Sequence, residues 1–180
     1  MPDGAFPPDP FDANAAESAA RPPRGAAPVS RMEELSPLET AAVMYFRLWH
    51  DGEAGRARAT ADFAALLGLG HGAAAVQALD RLCALLGAHG RRPLMRHSKS
   101  CSCVGSDEAV VAAFLSRAAE GEREEAMLMA SLLIRAEMAP LALAVAEELA
   151  VALRRLALRA APEPRRRAEA PRRPVPRRVH

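Results

Sequence analysis

The stretch His97-Ser98-Lys99-Ser100-Cys101-Ser102-Cys103 places an imidazole and two thiols within seven residues. Mixed sulfur and nitrogen donors suit zinc or iron. In an extended loop, side chains two apart face the same side, so Cys101 and Cys103 can meet one ion. His97 can turn back as a third ligand, with Cys83 or Asp107 as a fourth. The expected metal set is therefore His97, Cys101 and Cys103, with zinc or iron as the cofactor.

A zinc-finger signature has two separated ligand pairs, and this chain shows one cluster. Two other readings of the same residues stand beside the metal one. Loop thiols can be inert. Alternatively, the cluster is a thiol centre. Cys103 lies three residues before Ser106, the expected cap of a helix. A helix N-terminus, with Lys99 and His97 near it, favours a thiolate. Asp107 and Glu108 oppose that effect, and Glu108 is the only nearby acid or base such an enzyme could use. Cys83 falls on an apolar stripe and reads as a packed core residue. No serine–histidine–aspartate order and no phosphate-cradling glycine loop is present.

The second chemical feature is basic. Arg165, Arg166, Arg167, Arg172, Arg173, Arg177 and Arg178 stand near the end of the chain among prolines. Such a segment can neutralise phosphates one by one. It lacks the aromatic residues that stack bases, so weak nucleic-acid contact without sequence preference is expected.

These groups need elements to hold them. The chain has 180 residues, half of them apolar, yet only 4% aromatic. A core of alanine, leucine and methionine favours helices over strands. A single lysine among many arginines, with abundant alanine, reads as a GC-rich bacterial sequence. No apolar run is long enough to span a membrane. No secretory leader opens the chain. A cytoplasmic location with reduced thiols is the expectation.

Residues 1–34 are rich in proline and lack periodicity, so a disordered tail is expected there, with Phe6 and Phe11 its large apolar side chains. Ser36-Pro37-Leu38-Glu39 forms a capping box that opens the first helix, with Leu38, Ala41, Ala42, Tyr45, Leu48 and Trp49 on its apolar face. A second helix is expected from a Thr60 cap to Leu67. Gly68, Gly70 and Gly72 then form a break, and a third helix runs over 73–86. Residues 87–105 form a loop. A fourth helix opens at Ser106, with Asp107 and Glu108 in its first turn, and Gly121 ends it. The fifth, 122–135, is apolar almost all round from Ala126 to Ile134, the mark of a helix at the centre of a bundle. The sixth opens at Pro140, with a stripe of Leu141, Val145, Leu149, Ala152, Leu153 and Leu156.

The expectation is thus an all-α bundle of five or six helices over 35–160, between tails at 1–34 and 161–180, with no strands. Its leading function is non-enzymatic: a binding or regulatory protein presenting the Cys/His loop and the basic tail to another protein or an anionic polymer. Two alternatives stand beside it. One is a thiol- or metal-dependent enzyme centred on His97, Cys101 and Cys103. The other is a DNA-binding regulator, because helix, glycine break and helix over 60–86 outline a helix-turn-helix. The opening residues of its second helix, Ala73, Ala74, Ala75 and Val76, offer no hydrogen bonds to base edges, and only Gln77 does.

Overall fold

The computed structural model describes residues 24–160. The arginine tail therefore lies outside the described residues, as do Phe6 and Phe11. Six α-helices account for most of what is described: α1 (Pro37–Trp49), α2 (Gly52–Leu67), α3 (Leu69–His89), α4 (Ser106–Glu120), α5 (Arg123–Leu133) and α6 (Ala139–Ala160). The expected all-α bundle is present. Among the described residues, no helix is long and apolar enough to cross a membrane.

Helix α1 starts as its sequence dictates. Ser36 Oγ accepts from the Glu39 amide and Glu39 returns a carboxylate to the Ser36 amide, which satisfies two otherwise orphaned donors. The next two helices depart from expectation. Helix α2 begins at Gly52, and Thr60 lies inside it with its hydroxyl donating to the Arg56 carbonyl. Only Gly68 separates α2 from α3, held at φ +83°, where a side chain would be strained. Gly70 and Gly72 belong to the α3 helix. A Cβ on Gly72 would come within 2.8 Å of the Phe63 carbonyl oxygen, so this glycine serves close helix packing rather than a break. Helix α3 also runs on to His89, three residues past the expected end.

The centre of the bundle is α6, not α5. Helix α6 packs against each of the other five helices, and Leu143, Leu149 and Leu153 are buried along it. Helix α5 buries only Ala126, Ala130 and Leu133, one stripe at helical spacing, and leaves Leu128 63% and Leu132 58% exposed. A short helix that is apolar all round can still lie at the edge, because its small residues let one face approach closely. Leu141 departs too: it sits in the first turn of α6, half exposed, off the buried stripe.

The larger correction concerns residues 24–34, expected as tail. They form a 3-10 turn (Arg24–Ala26), strand β1 (Pro28–Arg31) and a second 3-10 turn (Met32–Glu34). β1 pairs antiparallel with β2 (Cys103–Gly105), with Arg31 opposite Cys103 and Ser30 opposite Val104. The Met32 amide donates to the Ser102 carbonyl and the Ser106 amide to the Ala27 carbonyl, extending the ladder at both ends. Gly25 fits because it has no side chain: a Cβ there would lie 2.1 Å from the Asp107 carboxylate. A short ribbon on an all-α body carries no period-2 signal, because its strands are too short to show one.

Candidate functional site

The two acids that open α4 organise the loop between α3 and β2. Gly105 caps this helix, not Ser106; Ser106 is its first residue and its hydroxyl donates to the Arg24 carbonyl. The carboxylate of Glu108 reaches back to accept from the Gly105 amide at 2.9 Å. The same carboxylate is fully buried and meets Arg47 of α1, itself only 2% exposed, in a bidentate pair: Nε to Oε1 at 2.7 Å and Nη2 to Oε2 at 2.8 Å. Glu108 also accepts from the His97 amide at 2.9 Å and from His97 Nδ1 at 3.1 Å. An ionised acceptor fixes the tautomer, so Nδ1 carries the proton.

Arg47 spends its remaining donors on the loop backbone. Nη1 donates to the carbonyls of Ser98 and Cys101, at 3.2 and 2.7 Å, and Nη2 to that of Cys103 at 2.6 Å. One guanidinium therefore ties together three loop carbonyls and the start of α4. Burial pushes the Glu108 carboxyl up, but the Arg47 guanidinium, the Gly105 and His97 amides and the His97 ring outweigh it and hold it at about 2. Asp107 repeats the scheme at the loop's other end. It takes Arg92 in a bidentate pair at 2.6 and 2.7 Å and accepts from the Met95 amide at 2.8 Å. Burial works against its charge, and Arg92 with that amide prevails, so its carboxyl too stands below the usual range.

Against this frame, the expected ligands fall apart. His97 is turned to Glu108. Cys101 and Cys103 are near each other, with the Cys103 amide donating to Cys101 Sγ at 3.4 Å. Both are half-buried free thiols. Cys83 is buried in α3, where burial pushes its thiol up to about 12, in keeping with a packing role. Asp107 is committed to Arg92. Among the described residues, no three histidine, cysteine or acidic side chains group closely enough to hold a metal ion. Lys99 pairs with Asp51 at 2.7 Å in solvent. The Cys103 thiol is pushed up, chiefly by its contact with the Cys101 sulfur, although Arg31 and Arg47 pull the other way. That is the reverse of what a nucleophilic thiol requires. Helix α2 and α3, the outlined helix-turn-helix, pack along each other with a single glycine between them, which leaves no turn of the usual three to four residues.

Sequence reasoning missed Arg47. The available signal was its neighbourhood: Ala42, Val43, Tyr45, Phe46 and Trp49 are all buried around it, so α1 leaves it no route to water. An arginine embedded in such a run must find an acid, and the partner stands 61 positions away.

Beside the loop is a cleft of about 500 Å3, walled by Phe46 and His50 of α1, Leu86 of α3, and Arg91, Leu94 and Arg96 of the loop. No protein-family model, curated protein or solved structure matches the chain.

Proposed function

We propose that this chain is a non-enzymatic binding or regulatory module whose working surface is the ordered segment 90–105. The observation that carries this reading is the Arg47–Glu108 pair. Burying two charges is costly, and a helical core does not require it. What the pair provides is a fixed path for an irregular segment, which is how binding residues are usually presented. The same pair counts against a thiol or metal enzyme. Glu108, the nearest acid, is ionised and enclosed by donors, and His97 is bound to it. The exposed residues of the segment are Arg91, Arg92, Pro93, Arg96, Ser98, Lys99, Ser100 and Ser102. A partner would be a protein or an anionic polymer, and the arginines of 165–178 would add nonspecific attraction to the latter.

The test is chemical. An iodoacetamide time course near neutral pH, read by peptide mass, should show Cys101 and Cys103 reacting no faster than glutathione. Elemental analysis should find no stoichiometric zinc or iron. Rapid alkylation of Cys103, or one metal ion per chain lost on Cys101→Ser, would overturn the reading in favour of an enzyme.

A further inference from the structure

The cleft between the C-terminal ends of α1 and α3 combines two features. Its wall is apolar where Phe46 and Leu86, each 4% exposed, meet Leu94. Its rim carries Arg91, Arg92 and Arg96, and no acidic residue lines it. Asp107 neutralises Arg92. Arg91 and Arg96 have no acidic partner among the described residues. Two uncompensated guanidinium groups thus flank one hollow whose lining is part apolar and part polar.

A capping role explains part of their placement. Arg96 Nη2 donates to the His50 carbonyl at the end of α1, and Arg91 Nη1 to the Ser131 carbonyl near the end of α5. Cations are favoured at such ends. Yet a guanidinium has five N–H donors, and one bond each leaves most of them unspent. Those single bonds anchor the two groups without neutralising them. The floor is also held in place: the Arg92–Asp107 pair fixes the segment from one side, and the bridge between Gly90 and Ile134 from the other. The volume lies within the range of small-molecule sites and is too small for a folded partner.

We propose that this cleft binds a small amphipathic anion, an aromatic or short aliphatic body carrying a carboxylate or a phosphate. The body packs on Phe46, Leu86 and Leu94, and the anionic head takes the unspent donors of Arg91 and Arg96. This assignment goes beyond the binding-module reading, adding a small-molecule ligand to its protein or polymer partner. The alkylation and metal assays address that reading; the experiment below addresses the cleft alone.

The full-length protein is titrated with phenyl phosphate, 4-phenylbutyrate, inorganic phosphate and benzyl alcohol by calorimetry in moderate salt. Either aromatic anion should bind with a Kd of about 1 mM or tighter. Inorganic phosphate and benzyl alcohol should each bind about ten-fold more weakly, because each lacks half of the recognition. Whichever aromatic anion binds better identifies the head group. Arg91→Gln with Arg96→Gln keeps a capping donor and removes the charge, and should weaken the aromatic anion by about ten-fold or more. Arg155→Gln, on the exposed face of α6, should leave it unchanged. The proposal is overturned if neither aromatic anion binds at several millimolar. It is equally overturned if inorganic phosphate binds as well as they do, or if the Arg155 variant loses as much as the cleft variant. Those last two outcomes describe diffuse attraction to arginine.

Discussion

Two regions of this molecule are held by opposite physics. Around α6, the buried face is apolar: Leu143, Leu149 and Leu153 sit among alanines. Around the start of α4, an irregular segment is held by charge: Arg47, Glu108, Arg92 and Asp107 take up backbone amides and carbonyls that have no ladder to join. The first region tolerates small errors by repacking. The second has no slack, because removing one partner strands a buried charge. The lesson is that this chain spends its costly interactions on a loop, and the loop is where its function should be sought.

The contrast can be broken first on the apolar side. Leu133 is 2% exposed and its neighbour Leu132 is 58% exposed. Leu133→Asp places an unpaired carboxylate in the core and should remove stability on the order of the whole net value, about 5 kcal/mol or more. Leu132→Asp should shift the unfolding free energy by about 0.5 kcal/mol or less. Urea unfolding of both variants checks this, and equal effects would show that α5 does not lie as described.

On the charged side, Glu108→Ala should cost about 3–5 kcal/mol, as should Arg47→Ala, because each leaves the other group buried alone. The double change Arg47→Ala with Glu108→Ala should cost clearly less than the sum of the two single changes. Additive losses in a double-mutant cycle would mean that the two groups are not coupled.

A smaller effect separates the ribbon from the rest of residues 1–34. A chain starting at residue 24 should unfold at the parent's temperature. A chain starting at residue 35 loses β1 and its pairing with β2, and should lose about 1–2 kcal/mol by thermal unfolding. It should also alkylate faster at Cys103, whose strand is then uncovered. Identical behaviour of both truncations would place the boundary where composition alone put it.

Much of the apolar region could be read directly from sequence. The capping box at Ser36, the stripe through Val145, Leu149 and Leu153, and the stop at Gly121 are local signals, each acting within a turn or two. The errors there came from composition. Gly70 and Gly72 read as breakers although they lie within a helix, and the run from Ala126 to Ile134 read as central although Leu128 and Leu132 face outward. The charged region was legible only as a location. The Cys/His loop and the acids Asp107 and Glu108 were visible, but the guanidinium that joins them was not. Arg47 and Glu108 meet through the packing of α1 on α4, and no periodicity links residues so far apart. The expected ligand set is not grouped among the described residues for the same reason: His97 turns to Glu108, an acceptor that local spacing does not reveal.

The most direct test of the account is amide hydrogen exchange at His97 and Gly105, whose N–H groups donate to Glu108, in the parent chain and in Glu108→Gln. Amides in the α6 core serve as the internal reference. The parent should protect both loop amides at neutral pH. Because the Glu108 carboxyl is held at about 2, below its usual 4.5, its contribution is complete above about pH 4.5 and is lost as the pH falls towards 2. Loop protection should follow that course in the parent. In Glu108→Gln it should be reduced at every pH while α6 stays protected. Loop amides that exchange freely in the parent, or that stay equally protected without the carboxylate, would contradict the claim that this buried pair holds the loop.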